Sequence, residues 1–136
     1  MTNKPIIKAI GFDVYGVLLP SSDDRLLNLV DNLRHNGYKT GILSNTGSIY
    51  EVSDKHRRIF DHFDEILLSH EVDVWKPEAA AYKLLADRLG VEFGELVYID
   101  DSRMNIAAAC QLGIHGIYFE TYEKLLKDLK VFNELF

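Results

Sequence analysis

Apolar and β-branched residues gather in five short runs along the chain. Runs of this length, bounded by polar residues and glycines, are typical of buried strands. They lie at residues 6–13, 39–44, 65–69, 96–100 and 115–119. The chain is therefore predicted to contain five strands.

The stretches between these runs carry apolar residues at helical spacing. Helices are predicted over 26–33, 81–89 and 106–112, and a last apolar stripe runs through Leu125, Leu129, Phe132 and Phe136. Glycines at 37, 90 and 113 act as stop signals. Residues 49–63 show the weakest helical spacing of apolar residues. Their charged stretch, 54–58, is interpreted as a solvent-exposed helix face and not as a phosphate-binding patch.

Strands that alternate with helices indicate a parallel sheet, because each crossover returns the chain to the same edge. The predicted fold is therefore α/β: a single three-layer, doubly wound (Rossmann-like) domain over residues 1–136, with a five-stranded parallel sheet. In such sheets ligands bind beyond the carboxyl ends of the strands. Polar residues that directly follow a strand are thus the first candidates for chemistry.

Composition fits a packed globule and excludes several classes of function. Of the 136 residues 47% are hydrophobic, and 21 acidic against 15 basic residues give a net charge of −6, which disfavours nucleic-acid binding. The first residues lack the pattern of a signal peptide, and no apolar run reaches the ~18 residues that a membrane span needs. A cytoplasmic location without membrane contact is expected.

Cysteine and histidine give no sign of a metal or redox site. The single cysteine, Cys110, lies in an alanine-rich helical stretch and is expected to be a small buried thiol. The five histidines, at positions 35, 56, 62, 70 and 115, show no close metal-binding spacing and are expected at the surface or in loops.

Polar side chains follow the first two predicted strands. Asp13 ends the first, with Gly16 three residues later where the chain must turn. Ser44 and Asn45 end the second and offer a hydroxyl, an amide and main-chain N–H groups to an anion. Each feature alone is better explained by helix capping or a turn than by a functional site.

Two further features lie at later strand ends. Lys76 precedes Pro77, which holds the lysine outside the next helix and free to reach an anion. Asp100 and Asp101 end the fourth strand, with Asn105 one turn into the helix. Adjacent carboxylates are costly without a cation, and hard oxygen ligands of this kind suit Mg²⁺.

Four segments resemble, in this order, the signature motifs of the haloacid dehalogenase-like hydrolases. They are residues 12–18 (FDVYGVL), 43–46 (LSNT), 76–77 (KP) and 99–102 (IDDS). Residues 101–109 and 112–114 further resemble the branch that contains epoxide hydrolase N-terminal phosphatase domains and sugar-phosphate phosphatases. Family members usually carry a cap between the first two motifs. Residues 19–39 hold one predicted helix, so the resemblance implies a cap-free member with an open site.

The resemblance implies a role for each motif residue. Asp13 would form an aspartyl phosphate, Ser44 and the Asn45 N–H would hold phosphoryl oxygens, and Lys76 would balance their charge. Mg²⁺ would be bound by the Asp13 carboxylate, the Tyr15 main-chain carbonyl and Asp101. Asp100 would be a direct or an indirect ligand, and Asn105 would orient the acidic loop. The substrate would be a phosphorylated small molecule or, because the site is open, a macromolecule.

Tyr15 departs from the family pattern. Family phosphatases usually carry a second aspartate at this position, two residues after the nucleophile. It protonates the leaving group and then acts as the base for the attacking water. Losing such a group typically costs about 10²- to 10⁴-fold in rate, so aryl or acyl phosphates are expected to be better substrates than sugar phosphates. Asp23 or Asp24 are candidate substitutes, although acidity in a first helical turn explains them more simply.

Two alternative functions stay open beside the phosphatase, and a homodimer is a separate possibility. With a tyrosine at position 15, the first motif also resembles that of the 2-haloacid dehalogenases, which need no metal. These enzymes lack an acidic pair like Asp100–Asp101, which argues against this function. A non-catalytic domain that binds a phosphorylated ligand or a protein is favoured by the missing acid–base group. A homodimer would supply a lid, with Phe132, Leu135 and Phe136 as contacts, although packing onto the sheet is the commoner fate of such residues.

Overall fold

The computed structural model describes residues 4–19, 24–48, 51–133 and 136. The strands are β1 (Ala9–Phe12), β2 (Lys39–Ser44), β3 (Glu65–Leu68), β4 (Leu96–Asp100) and β5 (His115–Tyr118). The helices of the described ranges are α1 (Arg25–His35), α2 (Asp54–Phe60), α3 (Ser69–Val72), α4 (Ala79–Leu89), α5 (Arg103–Gln111) and α6 (Tyr122–Lys130). A 3₁₀ turn at Phe93–Glu95 leads into β4.

The five strands form one sheet in the order β3-β2-β1-β4-β5, and every neighbouring pair is parallel. This confirms the predicted doubly wound α/β fold. β1 lies at the centre, with β2 on one side and β4 on the other. The chain therefore reverses its direction of winding at β1, and the carboxyl ends of β1 and β4 border the crevice where such sheets bind ligands.

Two apolar cores lie on the opposite faces of the sheet. The first contains the buried side chains of α1 and α6, with Ile59 of α2. The second contains those of α4, with Ala109 of α5. Alternate residues of the inner strands enter opposite cores, as Ile99 and Tyr98 of β4 do. The three predicted layers are thus present. Between β1 and β2 the described residues contain α1 as the helix and no cap.

Both ends of the chain differ from the predicted elements. Ala9 is the first residue of β1 in register with β2 and β4, where it pairs with Lys39 and Leu96, the first residues of those strands. Strand β1 therefore starts later than predicted, and Ile6 is exposed.

The last helix, α6, stops at Lys130, short of the full apolar stripe. Phe132 and Phe136 lie beyond it yet still pack against the first core, as expected for packing onto the sheet. The third proposed dimer contact, Leu135, lies outside the described residues.

Two predictions about single side chains are wrong. Cys110 is exposed, because α5 flanks the edge strand β5 and Ala109 is the residue that this helix buries. His56 is buried at 4% exposure, because its ring packs between those of Tyr15 and Phe60. The other four charged residues of the 54–58 stretch are exposed, as predicted.

No helix within the described ranges is long and apolar enough to cross a membrane. The cytoplasmic location stays a prediction.

Candidate active site

The predicted site residues meet at the carboxyl edge of the sheet. A cleft of about 350 Å³ is lined there by residues that follow β1, β2 and β4 and by the loop before α4: Asp13, Tyr15, Gly16, Asn45, Lys76, Asp100, Asp101, Ser102 and Asn105. Residues more than thirty positions apart in the chain thus share one cleft, because parallel strands deliver their carboxyl ends to the same edge. Ser44, the residue before Asn45, is not part of this lining and is buried at 1% exposure.

Lys76 is the centre of a buried hydrogen-bond network. Its Nζ donates to Asp13 Oδ1 at 2.8 Å, to Asp100 Oδ2 at 3.0 Å and to the Tyr98 hydroxyl at 2.8 Å. The Lys76 side chain is 2% exposed. A buried ammonium needs such partners, since an unpaired charge in the interior is strongly destabilising.

Asp100 accepts hydrogen bonds on both carboxylate oxygens. Oδ1 accepts from the Ser102 N–H at 2.9 Å. Oδ2 accepts from Lys76, from Tyr98 and from the Asn105 side chain. Burial acts to raise the pKa of Asp100, but Lys76 and these donors outweigh it and hold that pKa below its ordinary value. Asp100 is therefore ionised and held by the protein itself.

Asp13 is in a different electrostatic situation. Burial raises the pKa of its carboxyl group to about 7, with Asp100 adding to the rise and Lys76 opposing it. A cation beside Asp13 would stabilise the charged form that a nucleophile requires.

Asp13, Asp100 and Asp101 offer one carboxylate oxygen each within 4.8 Å of one another. Asp101 is exposed towards the cleft, whereas Asp13 and Asp100 are buried. Gly16 makes room for this arrangement: its φ is +85°, and a Cβ added there would overlap the Asp101 carboxylate. Three hard oxygen donors at this separation match what Mg²⁺ accepts in proteins.

The side chain of Asn45 makes two hydrogen bonds to the main chain of Lys76. Its Oδ1 accepts from the Lys76 N–H at 2.9 Å, and its Nδ2 donates to the Lys76 carbonyl at 3.1 Å. Ser69, the first residue of α3, donates its hydroxyl hydrogen to the Ser44 carbonyl, with Asn45 Oδ1 as a second acceptor. The amide of Asn45 thereby ties the lysine loop to the end of β2, a contact that sequence spacing does not reveal.

The Ser44 hydroxyl is buried and has no hydrogen-bond partner among the described residues. Buried hydroxyls are nearly always paired, so an unpaired one in the residue before Asn45, which lines the cleft, is a feature that a bound anion would explain.

Tyr15 lines the cleft where an acid–base aspartate would be expected. Its hydroxyl donates to the main-chain carbonyl of Glu51 at 3.3 Å, and its ring packs edge to face with that of His56. Burial, followed by the charge of Glu51, raises the pKa of Tyr15 above its ordinary value. The phenol is therefore a poor base near neutral pH.

Candidate substitutes for that aspartate receive no support. Asp24 is exposed at the start of α1 and its side chain does not cap the helix. Asp23 lies outside the described residues.

Sequence reasoning missed two polar residues near the site. Tyr98 lies in the middle of β4 and looks like an ordinary core residue. His56 lies in a charged stretch, and its Nδ1 accepts from the Ser53 N–H at 3.1 Å. Its serine-to-histidine spacing resembles a helix N-cap box, the one signal that could have drawn attention to it.

Comparison with known proteins gives a match to a family model described as haloacid dehalogenase-like hydrolase, over residues 20–113. A crystal structure of an uncharacterized protein from Corynebacterium glutamicum is 30% identical, with a TM-score of 0.83 over 93% of this chain and 95% of that one.

Two other relatives bear on chemistry. One is a haloacid dehalogenase (HAD) family enzyme from Bacteroides thetaiotaomicron, crystallised as an aspartate-to-alanine variant with magnesium and inorganic phosphate. It is 26% identical, with a TM-score of 0.59 over 76% of this chain and 57% of that one. Bifunctional epoxide hydrolase 2 of Rattus norvegicus is 28% identical over 77% of this chain and 20% of its own length. The chain spans less than half the length of the curated relatives that it matches.

Proposed function

The chain belongs to the haloacid dehalogenase-like hydrolases, and we propose that it is a Mg²⁺-dependent phosphatase that acts through an aspartyl phosphate on Asp13. The observation that carries the proposal is the contact between buried Asp13 and buried Lys76, in one cleft with Asp101 and with Asn45, the residue that follows the unpaired Ser44 hydroxyl. Nucleophile, cation and anion-binding hydroxyl are the groups that phosphoryl transfer to a carboxylate requires.

The residues present fit a magnesium ion. The three clustered carboxylate oxygens and the space that Gly16 leaves beside Asp101 support this fit. Asp13, Asp101 and the Tyr15 carbonyl would hold the ion. Asp100, whose oxygens already accept hydrogen bonds from protein donors, would act indirectly through Lys76 and Asn105. When bound, the metal supplies positive charge to the phosphoryl oxygens.

The residues of the chain would then act in two steps. Asp13 attacks phosphorus, the bond from phosphorus to the ester oxygen breaks, and the leaving group departs as an alkoxide or phenoxide that takes a proton from water. Lys76 and Ser44 hold phosphoryl oxygens during this transfer. Water next cleaves the aspartyl phosphate, which restores Asp13 and releases inorganic phosphate. No acid is placed at Tyr15 to protonate the departing oxygen, so phosphorylated small molecules with good leaving groups are the proposed substrates.

The proposal is tested by hydrolysis of p-nitrophenyl phosphate. We expect activity that requires Mg²⁺, is abolished by a chelator and falls by about a thousandfold or more in Asp13→Asn, because the nucleophile is lost. Asp87→Asn changes an exposed aspartate on α4 and serves as the matched control, with unchanged activity. Turnover in Asp13→Asn equal to that of the control would overturn the mechanism.

A non-catalytic binding domain is the second candidate, favoured by one observation. The Tyr15 hydroxyl bonds to the Glu51 carbonyl where an acid–base group is expected. For this candidate the same experiment gives no turnover on aryl, acyl or sugar phosphates, while Mg²⁺ still raises the unfolding temperature. A macromolecular substrate and a homodimer stay secondary proposals that rest on the open cleft.

A further inference from the structure

Tyr98 is a buried tyrosine of β4 that lies outside the four motifs. It is 0% exposed and stands two residues before Asp100, on the same side of the strand. Its hydroxyl lies 2.8 Å from Lys76 Nζ and 2.8 Å from Asp100 Oδ2. A phenylalanine would fill the same volume, so the hydroxyl is the part of this residue that needs explaining.

The donors and acceptors around Lys76 determine what the Tyr98 hydroxyl does. The Lys76 ammonium has three N–H groups, and its three acceptors are Asp13, Asp100 and Tyr98. The tyrosine has one hydrogen to give. Asp100 Oδ2 at 2.8 Å is a nearer and charged acceptor, whereas the Leu43 carbonyl lies at 3.4 Å. Tyr98 thus accepts from Lys76 and donates to Asp100.

The three acceptors differ in their access to the cleft. The side chain of Asp100 is 0% exposed and that of Asp13 is 11% exposed. Tyr98 and Asp100 therefore hold the ammonium from the inner side. The N–H that now points to Asp13 is the one that can meet a phosphoryl oxygen.

On the basis of the proposed phosphatase function, we infer that Tyr98 is a positioning residue whose hydroxyl fixes the Lys76 ammonium relative to Asp13. Three acceptors determine the position of the nitrogen, whereas two leave it free to swing about the line that joins them. The hydroxyl adds this third contact without adding a third negative charge. Misplacing a catalytic group by about 1 Å can cost about 10²-fold in rate.

The test compares Tyr98→Phe with Tyr82→Phe. Tyr82 is also fully buried, packs edge to face with Tyr98 and donates its hydroxyl to the Asn105 main-chain carbonyl, so each variant loses one buried hydroxyl. With p-nitrophenyl phosphate and Mg²⁺ we expect kcat per folded molecule to fall about 10- to 100-fold in Tyr98→Phe, with KM changed less than about threefold. Tyr82→Phe loses a bond to the main chain of α5 but none to Lys76, so its kcat should fall by no more than about fivefold, the size expected from disturbing the first turn of α5. A merely structural loss would affect the two variants alike.

Crystal structures of the unchanged protein and of Tyr98→Phe give the second measurement. We expect Lys76 Nζ in the variant to move out of hydrogen-bond distance of Asp13 Oδ1 or to occupy two positions. An unmoved Lys76, or a kcat equal to that of Tyr82→Phe, overturns the inference. If the unchanged protein has no turnover, the proposed function fails, and the position of Lys76 alone decides whether Tyr98 positions it.

Discussion

At the scale of single residues, Gly16 controls where the Asp101 carboxylate can lie. A Cβ at this position would overlap that carboxylate. We predict that Gly16→Ala displaces Asp101 and weakens Mg²⁺ binding by about tenfold or more, as changes around metal ligands typically do. Isothermal titration calorimetry with MgCl₂ measures this affinity.

Gly37 provides a matched control for Gly16. Its φ is +92°, close to that of Gly16, and a Cβ added there meets nothing within 4 Å. Alanine at either position bears the left-handed backbone strain of about 1–2 kcal/mol. Magnesium affinity should stay unchanged in Gly37→Ala. An equal loss of affinity in both variants would mean that strain, and not the Asp101 contact, is the cause.

Tyr15 is the residue that limits the range of leaving groups. We predict that Tyr15→Asp raises kcat on sugar phosphates by about 10²-fold, because it restores a group able to protonate the departing oxygen. The gain on p-nitrophenyl phosphate should be much smaller, since that leaving group needs little protonation. Steady-state kinetics on both substrates give the ratio.

Tyr15→Phe separates the gain of an acid from the loss of the Tyr15 hydroxyl. This variant loses the bond to the Glu51 carbonyl but gains no acid. Its preference for aryl over sugar phosphates should equal that of the unchanged protein. If Phe and Asp at this position give the same gain on sugar phosphates, the missing acid is not what limits the rate.

The site residues that can be predicted from the sequence are those that lie at the ends of strands. Asp13, Ser44 and Asp100 each stand at or beside the last residue of a parallel strand, so the fold alone brings them to one edge. Tyr98 and the side-chain contacts of Asn45 could not be predicted, because each depends on a hydrogen bond to Lys76 in the loop before α4. Nothing in the local pattern distinguishes these residues from core and capping residues.

At the scale of elements, the N-terminus of α5 connects the fold to the site. Ser102 caps this helix by accepting from the Asn105 N–H at 3.3 Å, and the Asn105 side chain donates to Asp100. We predict that Ser102→Ala lowers the free energy of unfolding by about 1 kcal/mol. It should also lower kcat/KM severalfold, because the first turn of α5 carries Asn105. Urea denaturation and p-nitrophenyl phosphate kinetics measure the two effects.

Thr121 caps α6 in the same manner and is the control. Its hydroxyl accepts from the Lys124 N–H at 3.1 Å, and α6 packs in the first core. Thr121→Ala should lose similar stability, about 1 kcal/mol, with unchanged kcat/KM. If the two variants lose activity equally, the loss reflects general stability and α5 has no special role.

Helices and strands are predicted correctly where apolar residues recur with a strong period. They are missed where contacts with neighbouring residues set the bounds of the element. All five strands follow from their apolar runs. The four-residue helix α3 is too short to show a period, and α6 ends at Lys130 although its apolar stripe continues. In both cases the contacts of neighbouring residues, and not local propensity, determine where the helix lies.

At the scale of the whole molecule, negative charge is concentrated at one edge of the sheet. The chain carries a net charge of −6, and three of its carboxylates meet within 4.8 Å. Lys76 compensates part of this charge from inside, while Asp101 remains exposed to the cleft. The folded state therefore holds a repulsion that a divalent cation relieves and that the unfolded chain does not contain.

Mg²⁺ should accordingly stabilise the protein as a whole. At ten times its Kd a ligand adds about 1.4 kcal/mol, which raises Tm by about 5 °C for a domain of this size. We predict this rise in thermal scans with MgCl₂ against NaCl of equal ionic strength. Asp101→Asn should lose most of the rise because it removes a ligand, and Asp87→Asn, an exposed residue of α4, should keep it. Equal stabilisation of both variants would show that Mg²⁺ only screens the net charge, and the cluster at the ends of β1 and β4 would then not be a metal site.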